Sequence, residues 1–347
     1  MPAPRPGPGH RRGARVNDAA LLEIRDLHVS FAGRQGLVAG LLGRRTSEAR
    51  AVDGVDLAVG EREVVALAGE SGCGKTTLAR TILGLERPRS GEILFDGQPI
   101  GGNGLRAYRR KVQMVFQDPA GALNPRQTIY ESVAEGLRVH GIHEGEERRV
   151  GEALSSAGLR PPDRFFLLYP HELSGGQRQR VVIAGALVLE PRMIVADEPV
   201  SMLDASVRGE ILSLLLHLRD EYGLALLIVT HDLGLAWTVA DRVAVMYLGK
   251  IVELGPAEEV LTRPRHPYTK ALLDVAPERG GDLADRKVLA GEPPDPTRIP
   301  SGCRFHPRCP EVASGRAAAL GQEERCRGEI PALREVAPGH FAACHLA

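Results

Sequence analysis

The stretch VVALAGESGCGKTTLARTI, residues 64–82, decides the fold. Its apolar, β-prone opening predicts a buried strand. The strand runs into GESGCGKTT, residues 69–77, which fits the pattern G-x-x-x-x-G-K-[ST], and a helical sequence follows. A strand, a glycine-rich loop and a helix in this order are typical of a phosphate-binding loop in an α/β fold.

Each residue type in this loop has a chemical reason. Glycines let backbone N–H groups face phosphate oxygens, and the helix N-terminus adds partial positive charge. Lys75 is expected to reach the β- and γ-phosphates of a nucleotide, and Thr76 to offer a hydroxyl to Mg²⁺. The Cys73 side chain is interpreted as a small packing group rather than a metal ligand. The predicted nucleotide-binding residues are Gly69, Glu70, Ser71, Gly72, Cys73, Gly74, Lys75, Thr76 and Thr77.

Two acids follow a second apolar strand in MIVADEP, residues 193–199. At the carboxyl end of a strand beside a phosphate loop, Asp197 can hold Mg²⁺ through water, and Glu198 can polarise an attacking water. Two solvated acids at a strand end are the alternative. The nearby phosphate loop favours the catalytic interpretation.

Strand and helix patterns alternate along most of the chain, which predicts a mainly parallel sheet covered on both faces. A mostly helical insertion is expected over residues 119–170 and an irregular surface insertion over residues 34–50. After about Gly255 the composition shifts toward Pro, Arg and Cys, with little strand signal. Strands are predicted at 21–31, 52–59, 64–69, 193–196 and 226–229, and a helix at 207–222.

The composition limits the possible partners. Lys+Arg and Asp+Glu both number 44, so no global field attracts nucleic acid or an anionic membrane. The apolar runs are far shorter than the roughly 20 residues that cross a bilayer. Residues 1–15, rich in Pro, Gly and Arg, lack the apolar stretch of a secretory signal, which predicts a disordered tail over residues 1–20 on a cytoplasmic protein. Disulfides are not expected in the reducing environment of the cytoplasm.

Four further motifs stand in order: VFQDP with Gln117, LSGGQ at residues 173–177, SMLD with Asp204 and IVTHDL with His231. Together with the phosphate loop, they resemble the ATP-binding cassette (ABC) ATPases over about residues 21–255. The resemblance implies a P-loop NTPase with a RecA-like core sheet. It also implies a helical signature subdomain over about residues 119–185.

In this family two cassettes dimerise head to tail, and LSGGQ of one covers the nucleotide held by the other. The resemblance therefore implies that a partner's ATP is held by Ser174, Gly175, Gly176 and Gln177. A helix N-terminus without a lysine binds an anion weakly alone, but adequately when a second surface already holds most of the charge. ATP would then join the two cassettes.

The same resemblance implies that His231 contacts the γ-phosphate, and that Gln117 touches Mg²⁺ and reports to a membrane partner through the helical insertion. Asp204 would be an interface residue. Phe31 is a candidate for stacking on adenine, with a core position as the alternative. One departure is IAGAL, where Gly185 replaces the family's usual Arg; this glycine costs the helix about 1 kcal/mol relative to Ala.

RHPYTKALL, residues 265–273, and GCRFHPRCP, residues 302–310, resemble the C-terminal extension of peptide and nickel importer ATPases, here residues 256–347. The resemblance implies the ATP-hydrolysing subunit of an importer of dipeptides, oligopeptides or nickel, at the cytoplasmic face of the cell membrane. Its partners would be a second ATPase subunit, either a copy or a sibling, two permease subunits and an extracytoplasmic solute-binding protein, with no nucleic acid.

The extension carries the spacing C-x5-C-x16-C-x17-C at Cys303, Cys309, Cys326 and Cys344. Four thiolates could bind Zn²⁺ or an iron–sulfur cluster, or remain free. The resemblance to importer ATPases favours a [4Fe-4S] cluster, although the spacer between the second and third cysteines is longer than usual.

Two other functions fit parts of the sequence. One is a soluble ABC ATPase acting on nucleic acid or ribosomes, but the chain has one cassette, no long heptad run and no strongly basic region. The other is a redox-sensing or metal-binding module in the extension, which is compatible with the importer function.

Overall fold

The computed structural model describes residues 20–32, 48–275 and 295–347. Its strands are β1 (Ala20–Ala32), β2 (Glu48–Gly60), β3 (Val64–Ala68), β4 (Ser90–Phe95), β5 (Gln98–Pro99), β6 (Val112–Val115), β7 (Met193–Asp197), β8 (Ala225–Thr230), β9 (Arg242–Tyr247), β10 (Lys250–Pro256), β11 (Arg334–Ala337) and β12 (His340–Ala342).

The α-helices are α1 (Lys75–Ile82), α2 (Leu105–Lys111), α3 (Pro119–Ala122), α4 (Ile129–Val139), α5 (Glu146–Ser156), α6 (Asp163–Phe166), α7 (Gly175–Leu187), α8 (Ala205–Tyr222), α9 (Leu233–Val239), α10 (Ala257–Thr262), α11 (Pro267–Val275), α12 (Pro310–Ala313), α13 (Arg316–Ala319) and α14 (Glu323–Gly328).

The main sheet has the order β11-β12-β10-β9-β3-β8-β7-β6. From β9 to β6 its neighbours pair in parallel, which confirms the predicted mainly parallel sheet. In this order β3, β8 and β7 are neighbours, so their carboxyl ends lie side by side along the carboxyl-terminal edge of the sheet. The phosphate loop, the two acids and the histidine motif follow these three strands, so the topology collects them at that edge.

Both faces of these strands are buried. In β3, Val65 and Leu67 join the core on one face, while Ala66 and Ala68 join the core on the other. Burial on both faces explains why the strand reads as a continuous apolar run instead of alternating.

A second sheet, β2-β1-β4-β5, is entirely antiparallel. Its apolar side chains share a core with α1 and with one face of the main sheet. The sequence predicts β1 and β2 but does not assign them to a separate sheet. Residues 48–50, expected in an irregular insertion, instead begin β2 and pair with β1, so that expectation is wrong there; residues 34–47 of the insertion lie outside the described residues.

The region 119–170, predicted as a mostly helical insertion, contains helices α3 to α6. These helices pack with α7 over the β6–β7–β8 side of the main sheet. Helix α4 begins with a capping box in which Thr128 and Glu131 satisfy each other's backbone N–H groups. Helix α8 ends at Gly223, whose φ of 67° is the left-handed conformation that stops a helix.

The extension contains more strand than its composition suggests. Its hairpin, β11 and β12, adds to the sheet edge at β10, with Glu253 opposite Ala342. These strands have only four and three residues, so period-two patterning is too short to reveal them. Within the described ranges, no helix has the length and apolar character needed to cross a membrane. Ala20, the last residue of the tail predicted over residues 1–20, instead begins β1 and pairs with Gly60, so that expectation is wrong there; residues 1–19 lie outside the described ranges.

Candidate nucleotide site

The phosphate loop lies between the end of β3 and the start of α1, in the predicted strand, loop and helix order. Two of its glycines are required by close backbone approach and by positive φ angles. A Cβ on Gly69 would lie 2.2 Å from the Met246 carbonyl oxygen, and one on Gly74 would lie 2.0 Å from that of Ala51. The loop can therefore pass between β2 and β9 only because these positions lack side chains.

Lys75 is buried, at 5% exposure, beneath the loop it terminates. Its Nζ donates hydrogen bonds to the carbonyl oxygens of Gly69 at 2.7 Å and Glu70 at 3.0 Å. These bonds hold the ammonium group beside the first N–H groups of α1, which have no partners within the helix. A cation and a helix N-terminus together form an anion site suited to phosphate.

Asp197 ends β7 next to this loop and is buried. The Thr76 hydroxyl donates to its Oδ1 at 3.3 Å. Burial raises the pKa of Asp197, while the Thr76 hydrogen bond lowers it. A bound cation would offset that burial cost, and hydroxyl and carboxylate oxygens are the donors that Mg²⁺ prefers. The two side chains therefore fit a magnesium ion.

The Glu198 carboxylate is held from two sides. Gln117 Nε2 donates to Oε2 at 3.0 Å, and His231 Nδ1 lies 3.0 Å from Oε1. The Glu198 side chain is only 14% exposed, whereas that of His231 is 55% exposed. The structure thus brings together three residues that are far apart in sequence and that the motifs single out separately.

His231 follows β8 and precedes α9. Asp232 caps this helix by accepting the N–H groups of Gly234 at 2.8 Å and Leu235 at 3.2 Å. The cap fixes the turn that aims His231 at Glu198. Sequence reasoning assigned no role to Asp232, although an Asp immediately before an apolar helix is an N-cap signal.

The signature residues lie at the start of α7, not at the phosphate loop of the same chain. Ser174 and Gln177 form a capping box, with the Gln177 N–H on Ser174 Oγ at 3.3 Å and the Ser174 N–H on Gln177 Oε1 at 2.9 Å. Ser174 and Gly175 are exposed. Gly176 packs against Val207 of α8, and Asp204 is the N-cap residue of that helix. Asp204 and the signature therefore share one surface.

Phe31 is 41% exposed near the end of β1, so the alternative of a core position is wrong. It pairs with Ala49 of β2, two residues from the Ala51 carbonyl that abuts Gly74. An exposed ring thus lies on the strand pair that borders the phosphate loop. Cys73 is buried, which confirms its interpretation as a packing residue, and burial raises the pKa of its thiol.

The four cysteines of the extension line one small pocket, together with His306 and His345. Burial raises the pKa of Cys303 to about 12 and also raises the pKa of the other three thiols. Within the described residues, no three His, Cys, Asp or Glu side chains are grouped closely enough to hold one metal ion. The cysteines share a pocket, but they do not form the compact ligand set of a single zinc ion.

Gly185 lines a groove of about 350 Å³ between the main sheet and the helical layer. No atom lies within 4 Å of the position a Cβ would take there, so the missing Arg leaves open space. Leu123, which follows α3 and the Gln117 segment, lines the same groove.

Comparison with known proteins identifies the family to which this nucleotide site belongs. The family model for the ABC transporter matches residues 52–201, and the model for the oligopeptide/dipeptide transporter C-terminal region matches residues 252–315. The chain is 42% identical over 340 residues to the oligopeptide transport ATP-binding protein AppF of Bacillus subtilis (strain 168), covering 95% of this chain and 98% of that protein. It is 44% identical to a putative peptide import ATP-binding protein of Brucella ovis, covering 86% and 93% of the two chains.

Solved structures are similar as well. One is cbiO1 from Clostridium perfringens, part of the ABC transporter complex cbiONQ, with a TM-score of 0.61 and 31% identity over 71% of this chain and 92% of that one. Another is a dimeric ATP-binding cassette in a post-hydrolysis state bound to ADP and Pi, with a TM-score of 0.58 and 29% identity over 68% and 98% of the two chains. The chain therefore belongs to the ABC transporter family, as an ATP-hydrolysing cassette with an α/β P-loop fold and the C-terminal region of the oligopeptide and dipeptide transporters.

Proposed function

We propose that this ATPase powers the import of dipeptides or oligopeptides through a membrane transporter and works at the cytoplasmic face of the membrane. The observation that carries the proposal is the union, in one chain, of an ABC cassette and the oligopeptide/dipeptide transporter C-terminal region. Relatives named for peptide import that cover 86% and 95% of the chain support it. Neither of these two relatives is named for nickel, the other solute that the resemblance implies.

In the proposed reaction, Glu198 acts as the general base or orients the attacking water, and Gln117 and His231 hold its carboxylate in place. Lys75 and the loop amides of residues 69–77 bind the phosphates. Phe31 stacks on adenine. Thr76, Gln117 and Asp197 would hold Mg²⁺, which neutralises charge on the transferring phosphoryl group when bound. The distances within the Gln117–Glu198–His231 group support the role of Glu198 and of the two residues that hold it.

The second half of the ATP site would come from a partner cassette, either a copy or a sibling. Ser174, Gly175, Gly176 and Gln177 would contact the γ-phosphate of the partner's ATP, with Asp204 at the interface. Exposure of Ser174 and Gly175 on a helix N-terminus supports this role, because an exposed helix start can accept an anion presented by another molecule.

The membrane partners would be two permease subunits, supplied with solute by an extracytoplasmic binding protein. We propose that a permease segment docks in the groove lined by Leu123 and Gly185. Two features support that contact: the groove adjoins the segment that carries Gln117, and it lies between the sheet and the helical layer. A docked segment could then shift Gln117 against Glu198.

We further propose that Cys303, Cys309, Cys326 and Cys344 hold a [4Fe-4S] cluster. A tetrahedral zinc ion brings its thiolates within about 4 Å of one another, because each Zn–S bond is only about 2.3 Å long. A four-iron cluster takes one thiolate on each iron and needs them farther apart. The four cysteines line one pocket, and four is the number of thiolates that such a cluster takes. Anaerobically purified protein should contain about four irons per chain and absorb broadly near 400 nm; without iron, the thiols are free.

The test of transport uses a tagged Glu198→Gln variant. Removal of the base should lower ATP turnover by at least about 100-fold and leave ATP binding intact. Captured with ATP from native membranes, this variant should retain a second ATPase, two permeases and a solute-binding protein. Proteoliposomes with the wild-type complex should then take up labelled oligopeptides. Recovery of ribosomes or nucleic acid instead would support the soluble ABC ATPase and contradict the proposal.

A further inference from the structure

The segment between Cys303 and Cys309 reaches from the C-terminal extension to the phosphate loop. Arg308 of this segment forms a two-point ion pair with Glu70: Nη1 donates to Oε2 at 2.8 Å, and Nη2 donates to Oε1 at 3.1 Å. The Arg308 side chain is 6% exposed and that of Glu70 is 23% exposed. A shielded, bidentate pair fixes orientation as well as distance.

A second residue of the extension contacts the same loop position. The hydroxyl oxygen of Tyr268, which is fully buried, accepts the backbone N–H of Glu70 at 2.9 Å. The carbonyl oxygen of Glu70 accepts Lys75 Nζ at 3.0 Å. The N–H, the C=O and the carboxylate of Glu70 are therefore each held, two of them by the extension.

The supporting residues are rigid because they belong to one aromatic cluster. The Phe305 ring, 1% exposed, lies 5.3 Å from the rings of both Tyr247 and Tyr268. This cluster packs under β3 through Ala66 and Ala68, immediately before the phosphate loop. Rings packed this closely cannot shift without opening the core.

A further ion pair fixes the other end of the segment. The buried guanidinium of Arg304 donates to the Asp53 carboxylate on β2 and to the Leu248 carbonyl oxygen. The segment therefore spans from β2 to the phosphate loop, attached at each end by an arginine. The motifs RHPYTKALL and GCRFHPRCP resemble the importer extension, but their local patterns predict no role for Tyr268, Arg304 or Arg308.

We propose that Arg308 and Tyr268 are positioning residues of the ATP site, which hold the first half of the phosphate loop in its nucleotide-binding conformation. The inference rests on the nucleotide site described above. With the Glu70 N–H bound to Tyr268 and the Cys73 N–H on the Glu70 carbonyl, the N–H groups from Gly74 onward remain to face the phosphates. Because Lys75 is bonded to the Gly69 and Glu70 carbonyls, a displaced Glu70 also displaces the ammonium group.

The proposal has a consequence for the cysteine pocket. The segment that carries Arg304 and Arg308 begins at Cys303 and ends at Cys309. These two cysteines line the pocket. The segment therefore connects the cysteine pocket to Glu70 through the Arg308 ion pair. The C-terminal extension is thus a built-in support of the ATP site in the same chain.

The test measures nucleotide affinity and turnover in the full-length protein. Arg308→Gln and Tyr268→Phe are each expected to raise the Kd for ADP, measured by calorimetry, and the KM for ATP by about tenfold. The change in kcat should be smaller, because the loop binds the phosphates in the ground state and the transition state alike. Arg308→Lys, which keeps a charge but not the planar fork, should fall between wild type and Arg308→Gln.

A double-mutant cycle with Glu70→Gln separates positioning from a general effect on folding. If Arg308 acts through Glu70, the Arg308→Gln/Glu70→Gln protein should bind ADP no more weakly than either single variant. Arg325→Gln is the matched control, since it breaks an exposed pair with Glu329 in the same extension and should leave Kd unchanged. Thermal melting identifies any variant that does not fold. Tyr268→Phe, which keeps the packed ring, then decides the result.

Wild-type Kd and KM in Arg308→Gln and Tyr268→Phe would overturn the proposal, as would strictly additive losses in the cycle or an equal loss in Arg325→Gln. These outcomes differ from a failure of the proposed function. A protein that transports no peptide can still show the predicted changes in ADP affinity, whereas unchanged ADP affinity beside normal peptide transport would contradict this inference alone.

Discussion

Glu198 has a backbone φ of 47°, in the left-handed region that costs a non-glycine residue about 1 kcal/mol or more. The conformation is held by a hydrogen bond from its N–H to the Val229 carbonyl at 2.9 Å. An ordinary strand continuation would turn the side chain away from the sheet edge. The strained turn instead directs the carboxylate between Gln117 and His231, as expected where positioning outweighs local stability.

His231→Ala tests whether this orientation matters. Removal of the imidazole leaves the Glu198 carboxylate held by Gln117 alone, and misplacement of a catalytic group by about 1 Å can cost roughly 100-fold in rate. We expect kcat to fall by about that factor with little change in ADP affinity. The control is His217→Ala, which removes an exposed histidine 3.0 Å from Glu221 on α8 and should have no effect. Equal turnover in the two variants would contradict the role of His231.

Lys75, Thr76 and the acids of β7 could be predicted because their motif spacing is local and each residue type suits one chemical task. Tyr268 and Arg308 could not, because they contact Glu70 across 198 and 238 residues of sequence. Such contacts depend on how the extension folds back, and no short pattern encodes that path.

Two of the three glycines in helix α7 lie in opposite environments. A Cβ at Gly185 meets no atom within 4 Å, whereas a Cβ at Gly176 would lie 2.7 Å from Val207 Cγ1. Gly185→Ala should therefore raise the free energy of unfolding by about 1 kcal/mol, since the helix gains propensity without a clash. Gly176→Ala should lower it, and Val207→Ala should partly rescue that loss. Urea denaturation measures all three; destabilisation by Gly185→Ala would contradict the open space described at that position.

Helix α11 depends on a neutral histidine. His266 Nδ1 accepts the Tyr268 N–H at 3.0 Å, and burial, with a smaller effect from Lys270, lowers the pKa of His266 to about 3. Between that value and the unfolded pKa of about 6.5, the unfolded chain binds the extra proton, so stability falls as the pH falls. From pH 7 to pH 5 this histidine should cost about 2 kcal/mol.

His266→Asn keeps a side-chain acceptor for the Tyr268 N–H but does not titrate. Urea denaturation of this variant at both pH values should show a smaller loss of stability on acidification than wild type shows. An identical loss in the two proteins would assign the pH dependence to other groups.

The features that the sequence does not predict are the pairing partners of strands, because the tertiary fold determines which strands become neighbours. Alternation predicts strands β1 and β2, but their placement in a separate antiparallel sheet depends on packing against α1 and the main sheet. The β11–β12 hairpin is stabilised by the free edge of β10 more than by its own sequence. Alternation predicts a strand; it does not identify the strand's neighbour.

In the proposed function, the whole molecule carries both halves of an ATP site, on different elements. The phosphate loop, Asp197 and Glu198 gather at one edge of the main sheet, while Ser174 and Gly175 are exposed at the start of α7. Among the described residues, no hydrogen bond joins the signature to the phosphate loop. A head-to-tail pair of chains would unite the two halves twice, once in each composite site.

This arrangement predicts complementation between two inactive variants. Lys75→Ala removes the phosphate-loop cation, and Ser174→Glu places a negative charge where the partner's γ-phosphate would bind, so each protein alone should lack ATPase activity. In a mixed dimer, the intact phosphate loop of the Ser174→Glu chain meets the intact signature of the Lys75→Ala chain. An equal mixture should recover up to roughly a quarter of the wild-type rate, because random pairing makes half of the dimers mixed and each has one intact site. Lys75→Ala mixed with Glu198→Gln is the control: both lesions lie in the phosphate-loop half, so no intact site can form. A Ser174→Glu and Lys75→Ala mixture as inactive as this control would show that two copies of this chain do not share the site.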